Sequence, residues 1–311
     1  MRAIVTGGAG FIGSHVVDAL VARQDKVLVL DDLSKGRQEN LNEDVRLAVV
    51  DVRDRDAVVA TFDDFQPEVC FHLAAQADVR VSVEDPALDF GINAGGTLQI
   101  LEAARAQGTQ IVFASTGGAI YGECEDPAPE DAPRRPLAPY GASKLTGEEY
   151  LAVYNRLHET QHVSLRYGNV YGPRQDPHGE AGVVAIFLGR LARGEAPHVF
   201  GDGRQERDYV YVGDVVAATL AGAGRTGVFN VGTGVATSVL DLLAACIRVS
   251  GVDVEPVFNP PRPGELQRSV LDPTLAEREL GFRAETSLEE GLAATWEFVR
   301  RAEGVDGAEA N

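Results

Sequence analysis

The sequence predicts an α/β chain in which a doubly wound parallel sheet is joined to a smaller C-terminal α/β unit. Three observations carry this. Short apolar runs alternate with helix-length stretches through the first 170 residues. The first of those runs leads directly into a glycine-rich turn and a helix. Beyond about residue 171 the alternation gives way to short segments punctuated by Pro and Gly. At 311 residues and 44% hydrophobic, the chain is long enough for one large or two modest cores.

The elements follow in order. Residues 2–6 read as a buried strand, then come Gly7-Gly-Ala-Gly10-Phe11-Ile12-Gly13 and a helical pattern from Ser14 to Ala22. In this spacing Gly7 permits a tight turn, Gly10 lets backbone approach a pyrophosphate and Gly13 lets helix pack on strand. The helix N-terminus offers unpaired N–H groups and the positive end of its dipole to phosphates. A second strand, 27–30, ends in Asp31-Asp32, where a carboxylate accepts from ribose hydroxyls. A glycine cluster alone is an ordinary turn. With strand, helix and acid in register it predicts a Rossmann dinucleotide site, and because a carboxylate repels the extra phosphate of NADP, the cofactor expected is NAD. Lys35 and Arg37 follow in the loop, not on the strand end itself. Further strands are expected at 45–50, 69–73, 111–114 and 163–165, with helices around 54–62, 85–106 and 139–158. The dinucleotide domain is expected to span 1–170 with a return near 212–230; 171–211 and 231–303 form the substrate unit, and the Gly-, Ala- and Glu-rich 304–311 a frayed tail.

Tyr140 and Lys144 stand four residues apart inside the helical stretch 139–158, so both project from one face. A phenol of ordinary pKa, near ~10, is a poor proton acceptor at neutral pH, and a fixed positive charge beside it favours the phenolate. In an arbitrary chain such a pair is two unrelated residues on a solvated face. The dinucleotide turn upstream changes that reading, because it supplies a redox partner for an acid/base pair.

Composition narrows the function. With 28 basic against 47 acidic residues, net −19, no nucleic-acid or anionic-membrane surface is expected. Cys70, Cys124 and Cys246 are too few and too scattered for a disulfide framework or a zinc site, so no metal is expected and a reducing cytoplasm fits. No apolar stretch reaches the about 18 residues of a membrane helix, and the N-terminus lacks the apolar run of a signal peptide. The scarcity of lysine, confined to Lys26, Lys35 and Lys144, reads as the bias of a GC-rich bacterial genome. His72, at the end of an apolar strand, reads as a packing residue, and Trp296 and Phe298 as core residues of the last helix.

Nine segments stand in one order: the Gly7–Gly13 turn, Asp31-Asp-Leu-Ser-Lys-Gly36, Asp51-Val52-Arg53-Asp54, His72-Leu-Ala-Ala-Gln76, Ser115-Thr-Gly-Gly-Ala-Ile-Tyr-Gly122, Tyr140-Gly-Ala-Ser-Lys144, Arg166-Tyr-Gly-Asn-Val-Tyr-Gly-Pro-Arg174, Gly201-Asp-Gly203 with Arg207-Asp-Tyr209, and Arg262-Pro-Gly-Glu265. Together, over about residues 1–300, they resemble the extended short-chain dehydrogenase/reductases, and within them the nucleotide-sugar epimerases. The resemblance implies an NAD-dependent isomerase that inverts C4 of a UDP-hexose, UDP-galactose or UDP-glucose, through a transient 4-keto sugar. It implies Tyr140 as base, Lys144 as its electrostatic partner and a ribose contact, and a hydroxyl of Ser115 or Thr116 bridging sugar and tyrosine. The loop here is one residue longer than the usual family form, so both hydroxyls stay candidates, with Thr116 preferred.

The cofactor contacts implied are Gly7, Gly10, Phe11, Ile12, Gly13, Asp31, Asp32, Ser34, Lys35, Gly36, Asp51, Val52, Leu73, Ala74, Ala75, Gln76, Asn93, Tyr140, Lys144 and Tyr167. The substrate contacts are Thr116, Tyr140, Asn169, Val183, Val199, Arg207, Arg262, Glu265 and Ser269, with the two arginines on the diphosphate because a guanidinium fork matches phosphate oxygens. Ser269, where plain-hexose epimerases carry a tyrosine, leaves room for an N-acetyl group. A homodimer through the helices near 85–106 and 139–158 is also implied. A 4,6-dehydratase would carry an Asp-Glu pair after the catalytic threonine, where this chain has Gly117-Gly118. A decarboxylase or epimerase of UDP-glucuronate is a further alternative, and a non-catalytic dinucleotide sensor of the same fold would usually lose the Tyr/Lys pair.

Overall fold

The apolar runs pair as seven parallel strands: β1 (Arg2–Thr6), β2 (Lys26–Asp31), β3 (Arg46–Val49), β4 (Val69–His72), β5 (Gln110–Thr116), β6 (Val163–Tyr167) and a last strand at Gly227–Val231. Their order across the sheet is Gly227–Val231, β6, β5, β4, β1, β2, β3. The computed structural model describes residues 1–177, 182–262 and 265–305. After β3 the chain crosses back to lay β4 on the other side of β1, which opens a crevice above the C-terminal ends of those two strands.

Helices cover both faces, as near-continuous apolar strands require. On one side α1 (Phe11–Ala22) and the helix Val212–Ala221 pack through Val16, Val17, Leu20, Val212 and Val215. On the other, α2 (Arg55–Phe65) and the helices Thr97–Gln107 and Pro139–His158 contribute Val58, Phe62, Ile100, Leu101, Leu151 and Tyr154. Ala276, Leu280 and Phe282, from the C-terminal stretch, also join the first of these cores.

Two elements differ from expectation near the site. The stretch 85–106 is not one α-helix: Pro86–Phe90 is α-helical, Gly91–Gly96 is a π-turn, and the α-helix resumes at Thr97. Three glycines lower helix propensity there, and Gly96 must be side-chain-free because its Cβ would lie 2.6 Å from a methyl of Val52. A further helix, Val79–Glu84, starts where Asp78 accepts the Arg80 N–H at 2.8 Å.

The C-terminal unit surrounds a third core formed by the helices Val183–Ala192, Val239–Ser250 and Leu288–Ala302. Its strands are short: Asn169–Tyr171 with Tyr209–Tyr211, His198–Phe200 with Val257–Asn259, and Glu206–Arg207 between Thr237–Ser238 and Arg268–Ser269. The last helix is fixed by a capping box in which Ser287 and Glu290 satisfy each other's backbone N–H. Trp296 packs partly on this core, whereas Phe298 is 36% exposed because it falls on the outer face of the helix. Of the expected frayed tail, residues 306–311 lie outside the described residues.

Candidate active site

The glycine turn closes tightly against β4. Gly7 has φ +66°, and a Cβ there would lie 2.7 Å from the Ala74 nitrogen; one on Gly13 would lie 2.1 Å from the Gly7 carbonyl oxygen. Gly10, at the N-cap of α1, has no side chain to occupy the first N–H groups of the helix, and its first turn carries no acid. Backbone donors therefore point into the crevice, the arrangement a pyrophosphate needs. Phe11 and Ile12 pack partly on the core beneath.

Asp31 is buried, and each of its oxygens accepts a backbone N–H, from Ala9 at 3.0 Å and from Leu33 at 2.9 Å. Burial pushes its pKa up, and these two bonds pull it down. It thus ties the glycine turn to the β2 loop, with Gly36 so close that a Cβ would meet its Oδ1 at 2.6 Å. Asp32 is exposed and accepts from the amide and hydroxyl of Ser34, and Lys35 is exposed. Asp51 is held by Arg53 at 2.5 Å, and Val52 is buried under Gly96. Leu73 and Ala74 donate their N–H groups to Thr6, and Ala75 leads to Gln76, which exchanges backbone bonds with the Asn93 amide. Tyr167, also among the expected cofactor contacts, lies away from the crevice. Its hydroxyl lies 2.7 Å from Thr219 Oγ1 inside the core, since alternation along β6 turns it away from the crevice.

His72 is the neutral packing residue its sequence position predicts. The Thr97 hydroxyl is spent on the Asn93 carbonyl (2.5 Å), so it accepts from His72 Nε2 (3.0 Å); Nδ1 then accepts from Thr6 (2.7 Å). Burial, with the charge of Lys144, holds its pKa down to about 3.

The two candidate hydroxyls separate cleanly. β5 runs through Thr116, so Ser115 and Thr116 point to opposite faces. Ser115 is buried and donates to Glu148 at 2.5 Å, within an ion pair in which Arg166 and Glu148 meet at 2.6 Å with each side chain 2% exposed. It has no access to a substrate, which removes it as a catalytic hydroxyl. Thr116 lies beside Tyr140, close enough to pull the phenol's pKa down.

Burial pushes the Tyr140 phenol up to about 12; the Thr116 contact lowers it and Asp89 raises it. The direct lowering expected from Lys144 is not what the geometry gives. The ammonium donates to the Ala114 carbonyl at 2.9 Å and sits over the Phe113 ring, directed at the strand and not the phenol. Burial holds Lys144 down to about 8, against the raising influence of Asp89 and Glu148.

Beside this pair lies a cavity of about 530 Å³ walled by Asn169, Val183, Arg207, Arg262 and Glu265 from the expected set. Asn169 Oδ1 lies 3.4 Å and Thr116 Oγ1 4.0 Å from where a Gly118 Cβ would stand, so the cavity meets the catalytic turn at that glycine. Arg207 is paired with Glu265 at 3.8 Å, and Arg262 stacks 3.8 Å over the Phe200 ring. Pro263 and Gly264, between Arg262 and Glu265, lie outside the described residues. Two expected contacts differ. Val199 is buried in the C-terminal core, because alternation on its strand gives the cavity His198 and Phe200 instead. Ser269 is buried opposite Arg207 in the small sheet and is not itself a cavity wall. The sequence reading missed Arg80, Gln175, Phe187 and Tyr209, which also wall the cavity. Arg80 follows the Asp78 helix cap, a start signal that was available; the others show no local pattern. Among the described residues no group of His, Cys, Asp or Glu is arranged to hold a metal, and the three cysteines are free thiols.

Residues 3–232 match the model of the NAD dependent epimerase/dehydratase family. The chain is 47% identical over 310 residues to a UDP-glucose 4-epimerase of Mycolicibacterium smegmatis, covering 96% of this chain and 99% of the relative. It superposes on the UDP-glucose 4-epimerase of Thermotoga maritima with UDP-glucose at a TM-score of 0.95 and 48% identity, covering 97% and 100%. The Thermus thermophilus UDP-glucose 4-epimerase complexed with NAD gives 0.92 and 49% over the same shares. With the glycine crevice, the Tyr140–Lys144 helix and these matches along nearly its whole length, the chain belongs to the NAD dependent epimerase/dehydratase family.

Proposed function

We propose that the protein is an NAD-dependent UDP-glucose 4-epimerase, interconverting UDP-galactose and UDP-glucose by oxidation and re-reduction at C4. One observation carries the reading: Thr116 and Tyr140 face each other where the Asn169 edge of the arginine-bearing cavity meets the turn, and that turn carries Gly117-Gly118 in place of an acidic pair. A Cβ on Gly117 would lie 2.5 Å from both Leu271 methyls, and neither Gly117 nor Gly118 supplies the carboxylate a 4,6-dehydratase needs.

Tyr140 takes the C4 hydroxyl proton, with Thr116 bridging the sugar oxygen and the phenol. When bound, NAD accepts and returns the hydride, and its oxidised ring brings positive charge towards the site. Gly7, Gly10 and the start of α1 cradle its pyrophosphate, and Asp31 takes the adenosine ribose on its remaining lone pairs. Arg207 and Arg262 grip the substrate diphosphate, and Glu265 and Asn169 fix the nucleotide end. Held only at that end, the keto-sugar can turn over, so that the returned hydride would reach the opposite face of C4 while Tyr140 gives the proton back to O4. Incubating the protein with UDP-galactose should yield UDP-glucose. A 4-keto-6-deoxy sugar, or no conversion by protein that holds NAD, would overturn the reading.

We also propose a homodimer. Tyr150, Val153 and Leu157 lie exposed along one stripe of the Pro139–His158 helix, beside exposed Val83 and Phe90, a pattern that marks an association surface. Light scattering of Leu157→Asp should show a monomer; a monomeric parent protein would refute it. No helix among the described residues is long and apolar enough to cross a membrane, and an address in the cytoplasm is part of the proposal.

A further inference from the structure

Lys144 is buried, yet its one hydrogen bond goes to a neutral carbonyl, Ala114. A buried ammonium needs a counter-charge. Two carboxylates bear on it: Glu148, one turn along its own helix, and Asp89, on the neighbouring helix Pro86–Phe90. Glu148 is already neutralised. Arg166 donates to both its oxygens, from Nε at 2.9 Å and Nη2 at 2.6 Å, and Ser115 adds a third bond.

Asp89 differs in each respect. It is wholly buried, and its Oδ1 accepts from two neutral amides, Gln76 Nε2 and Asn93 Nδ2, both at 3.0 Å. Its Oδ2 has no hydrogen-bond partner. The Asn93 amide also reaches Ser143 Oγ at 3.1 Å, and Ser143 donates to the Tyr140 carbonyl at 3.0 Å, so the carboxylate is braced against the backbone that carries both Tyr140 and Lys144. Among the described residues no other carboxylate bears on Lys144. Asp78 and Asp85 are spent capping the N–H groups of Arg80 and Leu88, and the π-turn Gly91–Gly96 contains no titratable residue. Of the cations and neutral titrating groups around it, Arg166 is committed to Glu148, Arg80 walls the substrate cavity, and His72 behind Lys144 is held neutral.

We propose that Asp89 is the buried counter-charge of the catalytic pair, a positioning residue that acts through Lys144 and Tyr140 without touching substrate. The inference rests on the proposed roles of those two residues. An acidic neighbour favours the protonated form of both, so removing it moves both in one direction.

The test is Asp89→Asn, which preserves shape and the acceptor for Gln76 and Asn93. In the pH profile of kcat with UDP-galactose, the two limbs report the coupled titration of Tyr140 and Lys144. Both limbs should move to lower pH by about one unit, with KM little changed. A lower plateau with unmoved limbs would show that Asp89 is only packing and overturn the proposal. A second measurement needs no turnover and so separates this proposal from the epimerase reading. Urea midpoints of the double-mutant cycle with Lys144→Met should show Asp89→Asn destabilising the parent chain but not the Lys144→Met chain, where the carboxylate has lost its partner. Equal losses in both backgrounds would exclude charge coupling.

Discussion

Exchanging the roles of two adjacent hydroxyls is a sharp test of the site. Ser115→Ala removes a hydrogen bond of 2.5 Å to a buried carboxylate. Bonds to charged groups contribute about 1.5–3 kcal/mol net. Here Glu148 keeps its Arg166 partner, so the loss falls at the low end, about 1–2 kcal/mol, and for a chain of this size lowers Tm by roughly 1.5–3 °C. Its effect on kcat should be less than about threefold, since Ser115 points away from the cavity. Thr116→Val is the converse. It leaves Tm within roughly 2 °C but removes the hydroxyl facing Tyr140, with a loss in kcat on the order of 10². Thermal melts and initial rates on the two variants suffice. Ser115→Ala proving the more damaging to turnover, or Thr116→Val unfolding the chain while Ser115→Ala does not, would refute the assignment made from the alternation of β5.

Tyr140→Phe removes the proton acceptor and little volume, so turnover should drop about 10²–10⁴-fold with KM nearly unchanged; near-normal turnover would mean another base. The purified protein should release NAD on denaturation, and Asp31→Asn should lose both cofactor and stability, because one of its two backbone donors would then face an NH₂ group. Retention of NAD at parental stability would refute that. Acid should destabilise the fold: burial holds His72 down to about 3 and His162 to about 4, so between the ordinary imidazole value and those limits the unfolded chain binds more protons. Stability is complete above about pH 6.5 and falls on acidification, by about 2 kcal/mol per histidine at pH 5; urea midpoints at pH 7 and 5 that agree would contradict the buried neutral histidines. Ser269 is buried opposite Arg207 and off the cavity wall, so Ser269→Ala should leave the ratio of kcat/KM for UDP-N-acetylgalactosamine to that for UDP-galactose within about twofold, and a larger change would show that Ser269 reaches the sugar.

The sheet was legible because each of its strands is a short apolar run closed by a polar or glycine break, and parallel strands buried on both faces must look like that. The crossover at β4 puts Ala74 against Gly7, whose missing Cβ permits that contact. The π-turn was not legible. Its sequence, Gly-Ile-Asn-Ala-Gly-Gly, is continuous with helical periodicity, and the Val52 methyl that packs where Gly96 has no Cβ comes from a distant part of the chain. The same holds for Val199: an apolar residue in a three-residue strand faces core or cavity according to register, and nothing in the local sequence sets it.

At the site, helical spacing was a good guide to which residues share a face and a poor one to which charge acts. Spacing alone places Glu148 beside Lys144 and makes it the obvious counter-ion. Arg166, brought in by β6, takes that charge for itself, because a fully buried carboxylate must be paired. The lysine is left to a residue that spacing never connects to it, Asp89, whose approach depends on the π-turn holding Asn93 between it and Ser143. An irregularity in one helix thereby bears on the electrostatics of another, and the Tyr140–Lys144 motif names the proposed acid/base pair while leaving its protonation to the surrounding fold.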